Sequence, residues 1–200
     1  METFSQRLTG LRTDVGIERK SLALMAGISE SELTAIEEGY SDPRIDLLQR
    51  LAQIFGVSLA YICLLTDDPS VCKDKSLYET LIFSSPLVGK MTRRDVIGVS
   101  YIYKNNLHGR DAAGRLMPDE SMEELISKGD RVIFRLQHTA DNTDIVLANT
   151  DQGELIRRYE KRGNVVILKP ENPLFDEVKI NTDSENFELI GVAAEMHRVL

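Results

Sequence analysis

The hydrophobic period of this chain changes part-way along, and that change limits the fold more than any other feature. Up to about residue 65, apolar side chains recur at helical spacing: Phe4, Leu8, Leu11 and Val15, then Leu22, Ala23 and Ala26, then Leu33 and Ile36. Such spacing lays them along one face of a helix. From about residue 91 onward the recurrence is every second position, in "DRVIFRL", "DIVLANT", "ELIRRYE", "NVVILKP" and "FELIGVAAEM", with turn residues between. Alternation of this kind puts one face of a strand into a core. The expectation is therefore a helical domain followed by a separate β-rich domain.

Punctuation refines the helical half. Gly27 ends one stripe, Ser29 opens the next and Gly39 lies beyond its end. "DPRIDLLQRLAQIFG" places Pro43 near the first turn of a fourth helix and Gly56 at its stop, and "SLAYICLL" makes a short fifth. Proline early and glycine late is the asymmetry helix ends favour. Residues 67–90 are polar and turn-rich, then apolar and broken by Pro86, and read as a linker or arm. The predicted domains are residues 1–66, this arm, and residues 91–200, a mainly-β barrel or sandwich.

Composition excludes several classes. No apolar run approaches the roughly 20 residues of a membrane helix. "METFSQRLTG" has no apolar core of a secretory signal, so the expected location is cytoplasmic. Cys63 and Cys72 lie nine apart with no metal-ligand pattern, and His108, His138 and His197 are scattered, so no metal or cofactor is expected. The net charge is −8. That disfavours nonspecific nucleic-acid binding without excluding a local basic patch.

Two helices joined at Gly27, with Ala23 small enough for close approach, form a helix-turn-helix pattern. The stretch "GISESELTAIEEG" occupies the position of a DNA-reading helix, yet has four glutamates and no lysine or arginine. Helical geometry turns Leu33 and Ile36 inward and Ser31, Thr34, Ala35 and Glu38 outward. Ser29 and Glu32 have capping-box spacing, and Glu30 suits the positive end of the helix dipole. The segments "SLALMAGIS", "AIEEG" and "SDPRIDLLQRLAQIFGVSL" resemble the lambda-repressor-like helix-turn-helix family over nearly all of residues 4–65. The resemblance implies a five-helix all-α domain, operator binding and dimeric use of two half-sites, and gives Glu37 a structural role. Ser31 and Thr34 are then the candidate reading residues, with Glu30 able to accept from a cytosine amino group. Residues 1–66 carry six basic side chains against nine acidic ones. The candidate phosphate anchors are Arg19, Lys20 and Arg44, ahead of Arg12.

The second motif is "DESMEELISKGDRVIF", followed downstream by "ELIRRYEKRGNVVILKPENPLF" and "ELIGVAAEM". Over about residues 112–200 this order resembles the LexA/UmuD-like serine peptidase fold, whose members cleave themselves with a serine nucleophile and a lysine base. Ser121 matches the nucleophile. The lysine position, six residues before Gly163, holds Arg157. Arginine stays protonated at neutral pH and cannot take the proton of a serine. Lys161 and Lys169 are out of register. The family's cleaved Ala-Gly bond is missing at its usual distance: Ala113-Gly114 is only seven residues before Ser121, and Val88-Gly89 matches poorly.

The resulting expectation is a non-cleavable, DNA-binding transcriptional repressor of a temperate phage or prophage. Its partners would be double-stranded operator DNA, further copies of itself as a dimer or tetramer, and an antirepressor protein that releases it. The alternatives are a self-cleaving repressor of the DNA-damage response using Ser121, and an interaction module whose acidic helix-turn-helix no longer binds DNA.

Overall fold

The computed structural model describes residues 2–84, 86–87, 91–182 and 186–198. They divide into two compact units, Met1–Lys75 with Gly89–Val99, and Ser76–Val88 with Ser100–Leu200.

The first unit contains five helices, α1 (Phe4–Val15), α2 (Arg19–Ala26), α3 (Glu30–Glu37), α4 (Ile45–Phe55) and α5 (Leu59–Ile62). Each boundary has a local cause. Thr3 accepts from the Gln6 N–H at 3.3 Å while Gln6 accepts from the Thr3 N–H at 2.8 Å, a reciprocal cap at the start of α1. Ser29 caps α3 by accepting from the Glu32 N–H at 3.1 Å. The return bond expected from the Glu32 side chain is absent among the described residues, so only half of that box forms. Gly27 sits at φ +68°, the left-handed conformation that lets α2 turn into α3. Phe4, Leu8, Leu22, Ala23, Ala26, Leu33, Ile36, Leu47, Leu48 and Leu51 form the core. The α1 stripe does not run its full length: Leu11 is half-buried and Val15 is 61% exposed. Arg12 takes the inward place instead, drawn to a carboxylate on α3.

The second unit is built on a sheet of strands β1 (Leu77–Phe83), β2 (Val96–Tyr103), β3 (Ala112–Leu116), β4 (Arg131–Leu136), β5 (Ile145–Thr150), β6 (Gly153–Arg162), β7 (Val165–Lys169), β8 (Val178–Asn181) and β9 (Glu188–His197). Their order across the sheet is β2-β1-β3-β4-β9-β5-β6-β7-β8. β1 runs parallel to β3, and the pairs from β3 through β8 are antiparallel. Along β5, Leu147 enters one core with Met117, Met122, Val132, Phe134 and Ile156. Its neighbours Val146 and Ala148 enter another with Val166, Leu168 and Val192. Both faces of this strand are thus buried, as the period of two permits.

The expected arm, residues 67–90, is not one segment. Asp67 accepts from Arg7 at 3.0 Å and the Pro69 carbonyl from the Ser58 N–H at 3.1 Å, tying this end to the helices. Residues 77–83 are β1, buried from Thr80 to Phe83. Residues 91–95, expected in the β-rich domain, belong with the helices. The arm reading failed because "LIF" is continuously apolar: a strand flanked on both faces does not alternate.

Candidate functional site

In the helical unit, α3 presents Ser31 to solvent with Thr34 half-buried beside it. The Thr34 hydroxyl donates to the Glu30 carbonyl at 2.8 Å, and the hydroxyls of Ser29 and Ser31 lie 3.0 Å apart. Each hydroxyl keeps acceptor capacity on the outer surface. Glu30, Glu32 and Glu38 are exposed, whereas Glu37 is buried. Arg12 bonds the two Glu37 oxygens at 2.6 and 3.3 Å, and Arg19 donates from Nε at 2.7 Å. Those bonds with Glu37 raise the Arg19 pKa. Of the candidate anchors, Lys20 is exposed and makes no ion pair among the described residues. Arg44 sits at the N-cap of α4, its side chain 64% exposed and 3.4 Å from Asp46. Arg7 is internal, donating to the Tyr61 and Thr66 carbonyls at 2.6 and 2.9 Å.

In the sheet unit, Ser121 lies in the turns between β3 and β4. Met117, Met122 and Ile126 anchor those turns in the core, at most 2% exposed. The segment after β7 clasps them: the N–H groups of Glu171 and Asn172 donate to the Ser121 carbonyl at 2.9 and 3.0 Å. The Asn172 side chain donates to the Glu120 carbonyl at 2.9 Å. This explains why "LKPENP" accompanies the serine motif: it holds the serine turn in place.

The structure brings Ser121 and Arg157 to one site through a residue that sequence reasoning missed. Asp119 accepts the Ser121 hydroxyl in a short hydrogen bond and the Ser121 N–H at 2.9 Å. Its other oxygen is 3.5 Å from Arg157 Nη2. Burial pushes the Asp119 carboxyl up, but the Ser121 hydrogen bonds and the charge of Arg157 outweigh this and hold it below its ordinary range. Burial pushes the Arg157 pKa down, opposed by the same carboxylate. Arg157 also donates to the Ile156 carbonyl at 2.8 Å, and its Nε is buried without a hydrogen-bond partner among the described residues. Ser121 is fully buried. An open depression of about 590 Å³ lies next to it, lined by Glu123, Glu124, Leu125, Arg158, Glu171, Asn172 and Pro173, and neither Ser121 nor Arg157 lines it. The Lys169 amine is held by Glu160, and Lys161 is exposed at the far end of β6. Ala113-Gly114 lies in β3, bonded between β1 and β4. Val88-Gly89 lies outside the described residues.

A helix-turn-helix head and a sheet unit built around a serine turn define the class. Residues 11–62 match the helix-turn-helix family and residues 103–194 the peptidase S24-like family. The LexA repressor of Bacillus cytotoxicus is 36% identical over 84 residues, which are 42% of this chain and 41% of that protein. The matched part is thus about two fifths of that relative's length. The LexA repressor of an Exiguobacterium strain is 28% identical over 152 residues, covering 67% of this chain and 68% of that one. The N-terminal DNA binding domain of SinR from Bacillus subtilis is 28% identical, covering 30% of this chain and 87% of that one at a TM-score of 0.29.

Proposed function

We propose that this chain is a sequence-specific DNA-binding transcriptional repressor whose peptidase-like domain does not cut the chain. The observation that carries the second half of this reading is the Asp119–Ser121–Arg157 cluster. Self-cleavage needs an unprotonated base beside the serine hydroxyl that is strong enough at neutral pH to take its proton, which the Asp119 carboxylate, held below its ordinary range, is not. Here the hydroxyl points at a carboxylate, and the cation paired with that carboxylate is an arginine, which keeps its proton at neutral pH. The serine turn then has a structural job, and the β-rich unit serves to hold copies of the chain together. Tethering two heads multiplies the affinity of a weakly binding module for paired half-sites.

Ser31, Thr34 and Glu30 are the proposed reading residues, and Arg19, Lys20 and Arg44 the proposed phosphate contacts. The setting is a temperate phage or prophage in a bacterial cytoplasm. Without self-cleavage, release from DNA needs a ligand with unequal affinity for the bound and free states. A small antirepressor protein docking on the acidic head supplies one.

The test has two parts. Duplexes recovered from a random pool give the operator and its half-site spacing. Full-length protein is then held at alkaline pH and, separately, with activated recombinase, and resolved on a gel. An intact chain is expected. Fragments abolished by Ser121→Ala would establish the self-cleaving alternative instead.

A further inference from the structure

The head has too few free cations for a protein that holds a polyanion. Arg7 and Arg12 are spent inside it, Arg19 is partly committed to Glu37, and Arg50 is paired with Asp46 at 3.0 Å. A reading helix in a groove has a phosphate strand on each side. Arg19 and Lys20 serve one side. The other falls to residues 41–46, the loop before α4 and the start of that helix, with Arg44 against Asp42 and Asp46. Alone, that loop would repel phosphate.

The strap of residues 91–95 lies on this loop. Thr92 and Arg44 form an isolated antiparallel bridge, and the Arg93 N–H donates to the Pro43 carbonyl at 3.2 Å. Asp95 turns back on the strap, accepting from the Thr92 N–H at 2.9 Å and the Thr92 hydroxyl at 3.2 Å. Arg94 pairs through Nε with Asp42, its side chain still 75% exposed. The Arg93 guanidinium lies 5.8 Å from the Phe4 ring centre, with Nε buried and unpartnered among the described residues. The strap therefore adds the Arg94 cation to the loop, sets the Arg93 guanidinium against Phe4 at its edge and turns its own carboxylate onto Thr92.

We propose that this strap belongs to the DNA-contacting surface: Arg94 neutralises Asp42, and Arg93 and Arg94 join Arg44 in binding the phosphates beside the reading helix. This rests on the DNA-binding reading above and extends it to a segment some 50 residues further along the chain, beyond the part that matches the helix-turn-helix family. The head is then complete only when the chain returns to it after β1.

The experiment uses the full chain and a duplex of the sequence recovered from the random pool, with affinity measured between about 50 and 200 mM salt, where phosphate contacts dominate the slope. Arg94→Ala should lower the slope of log affinity against log salt by about one, and Arg93→Ala with Arg94→Ala by about two. Arg94→Lys should keep the slope. Because Arg94 is largely exposed, its replacement leaves the fold intact, which thermal unfolding verifies. A slope unchanged by Arg94→Ala and by the double substitution overturns the proposal, even if affinity falls, since a strap that merely braced the loop would behave that way. An unsubstituted chain that binds no duplex from the pool overturns both this proposal and the DNA-binding reading.

Discussion

Glu37 is the residue on which the acidic reading helix turns. Its side chain is 1% exposed and is held by Arg12 and Arg19, 25 and 18 residues away in sequence. One carboxylate therefore ties α1 and the start of α2 to the end of α3. Removing it leaves Arg12, 14% exposed, without its counter-ion. Glu37→Ala is expected to destabilise the head by about 3–5 kcal/mol, the usual cost of breaking a buried pair by removing one partner. Urea unfolding of the full chain followed by helical circular dichroism checks this, and an unshifted midpoint would remove the cross-brace from the account. Resemblance marked Glu37 as structural, but its partners were not legible, because ion pairs between helices leave no periodic signal. Asp119 was missed for a different reason. A carboxylate two residues before a serine reads as an ordinary Asx turn, and the N–H bond at 2.9 Å is one. Only the fold brings β6, and Arg157 with it, to its other oxygen.

Among the elements, β3 shows how far a pattern can be pushed. Its Ala113-Gly114 pair has the chemistry of a cleavable bond but sits in the middle of the sheet. Gly114 is there for space: a Cβ would stand 2.1 Å from Ile82 Cδ1, 3.0 Å from Ile133 Cδ1 and 3.3 Å from the Leu81 carbonyl oxygen. The two isoleucines can rotate in part, whereas the carbonyl cannot. Gly114→Ala is expected to cost about 1–3 kcal/mol, the usual penalty of overpacking, read as a lower denaturant midpoint of the sheet transition. No change would mean that β1 does not press on β3 as described. Helices α2 to α5 were legible, with Gly27, Ser29 and Gly56 at their ends as expected, because each is defined within a dozen residues, whereas Pro43 falls one residue before the N-cap of α4 instead of in its first turn. β1, β2 and β8 were not legible. β1 is continuously apolar over its last three residues, and β8 is only four residues long.

For the whole molecule, the chain crosses between its units more than once, so a cut at a linker-like composition falls in the wrong place. A fragment of residues 91–200 lacks β1 and leaves β3 without its parallel neighbour. It also loses Ile82, which is 1% exposed in the core with Ile102, Leu107 and Ile133. An unpaired, apolar strand edge invites aggregation. A fragment of residues 76–200 keeps both. The longer fragment should be soluble and self-associating at micromolar concentration, and the shorter one less stable and prone to aggregate. Sedimentation and thermal melts of the pair decide this. Equal stability would place β1 outside the folding unit, and a monomeric longer fragment would remove the β-rich half as the source of oligomerisation.

The amino-acid sequence by itself determined the two fold classes, the helix ends at Gly27, Ser29 and Gly56, most strands from β3 onward, and the identities at the serine and lysine positions. All of these depend on residues close together in the chain, where period, propensity and motif spacing act. The tertiary structure decided the rest: the pairing of Glu37 with two arginines, the carboxylate between Ser121 and Arg157, the entry of β1 into the sheet, and the return of residues 91–95 to the helical head. Each joins groups distant in sequence, through contacts whose free energy is gained only once the backbone has already brought them together.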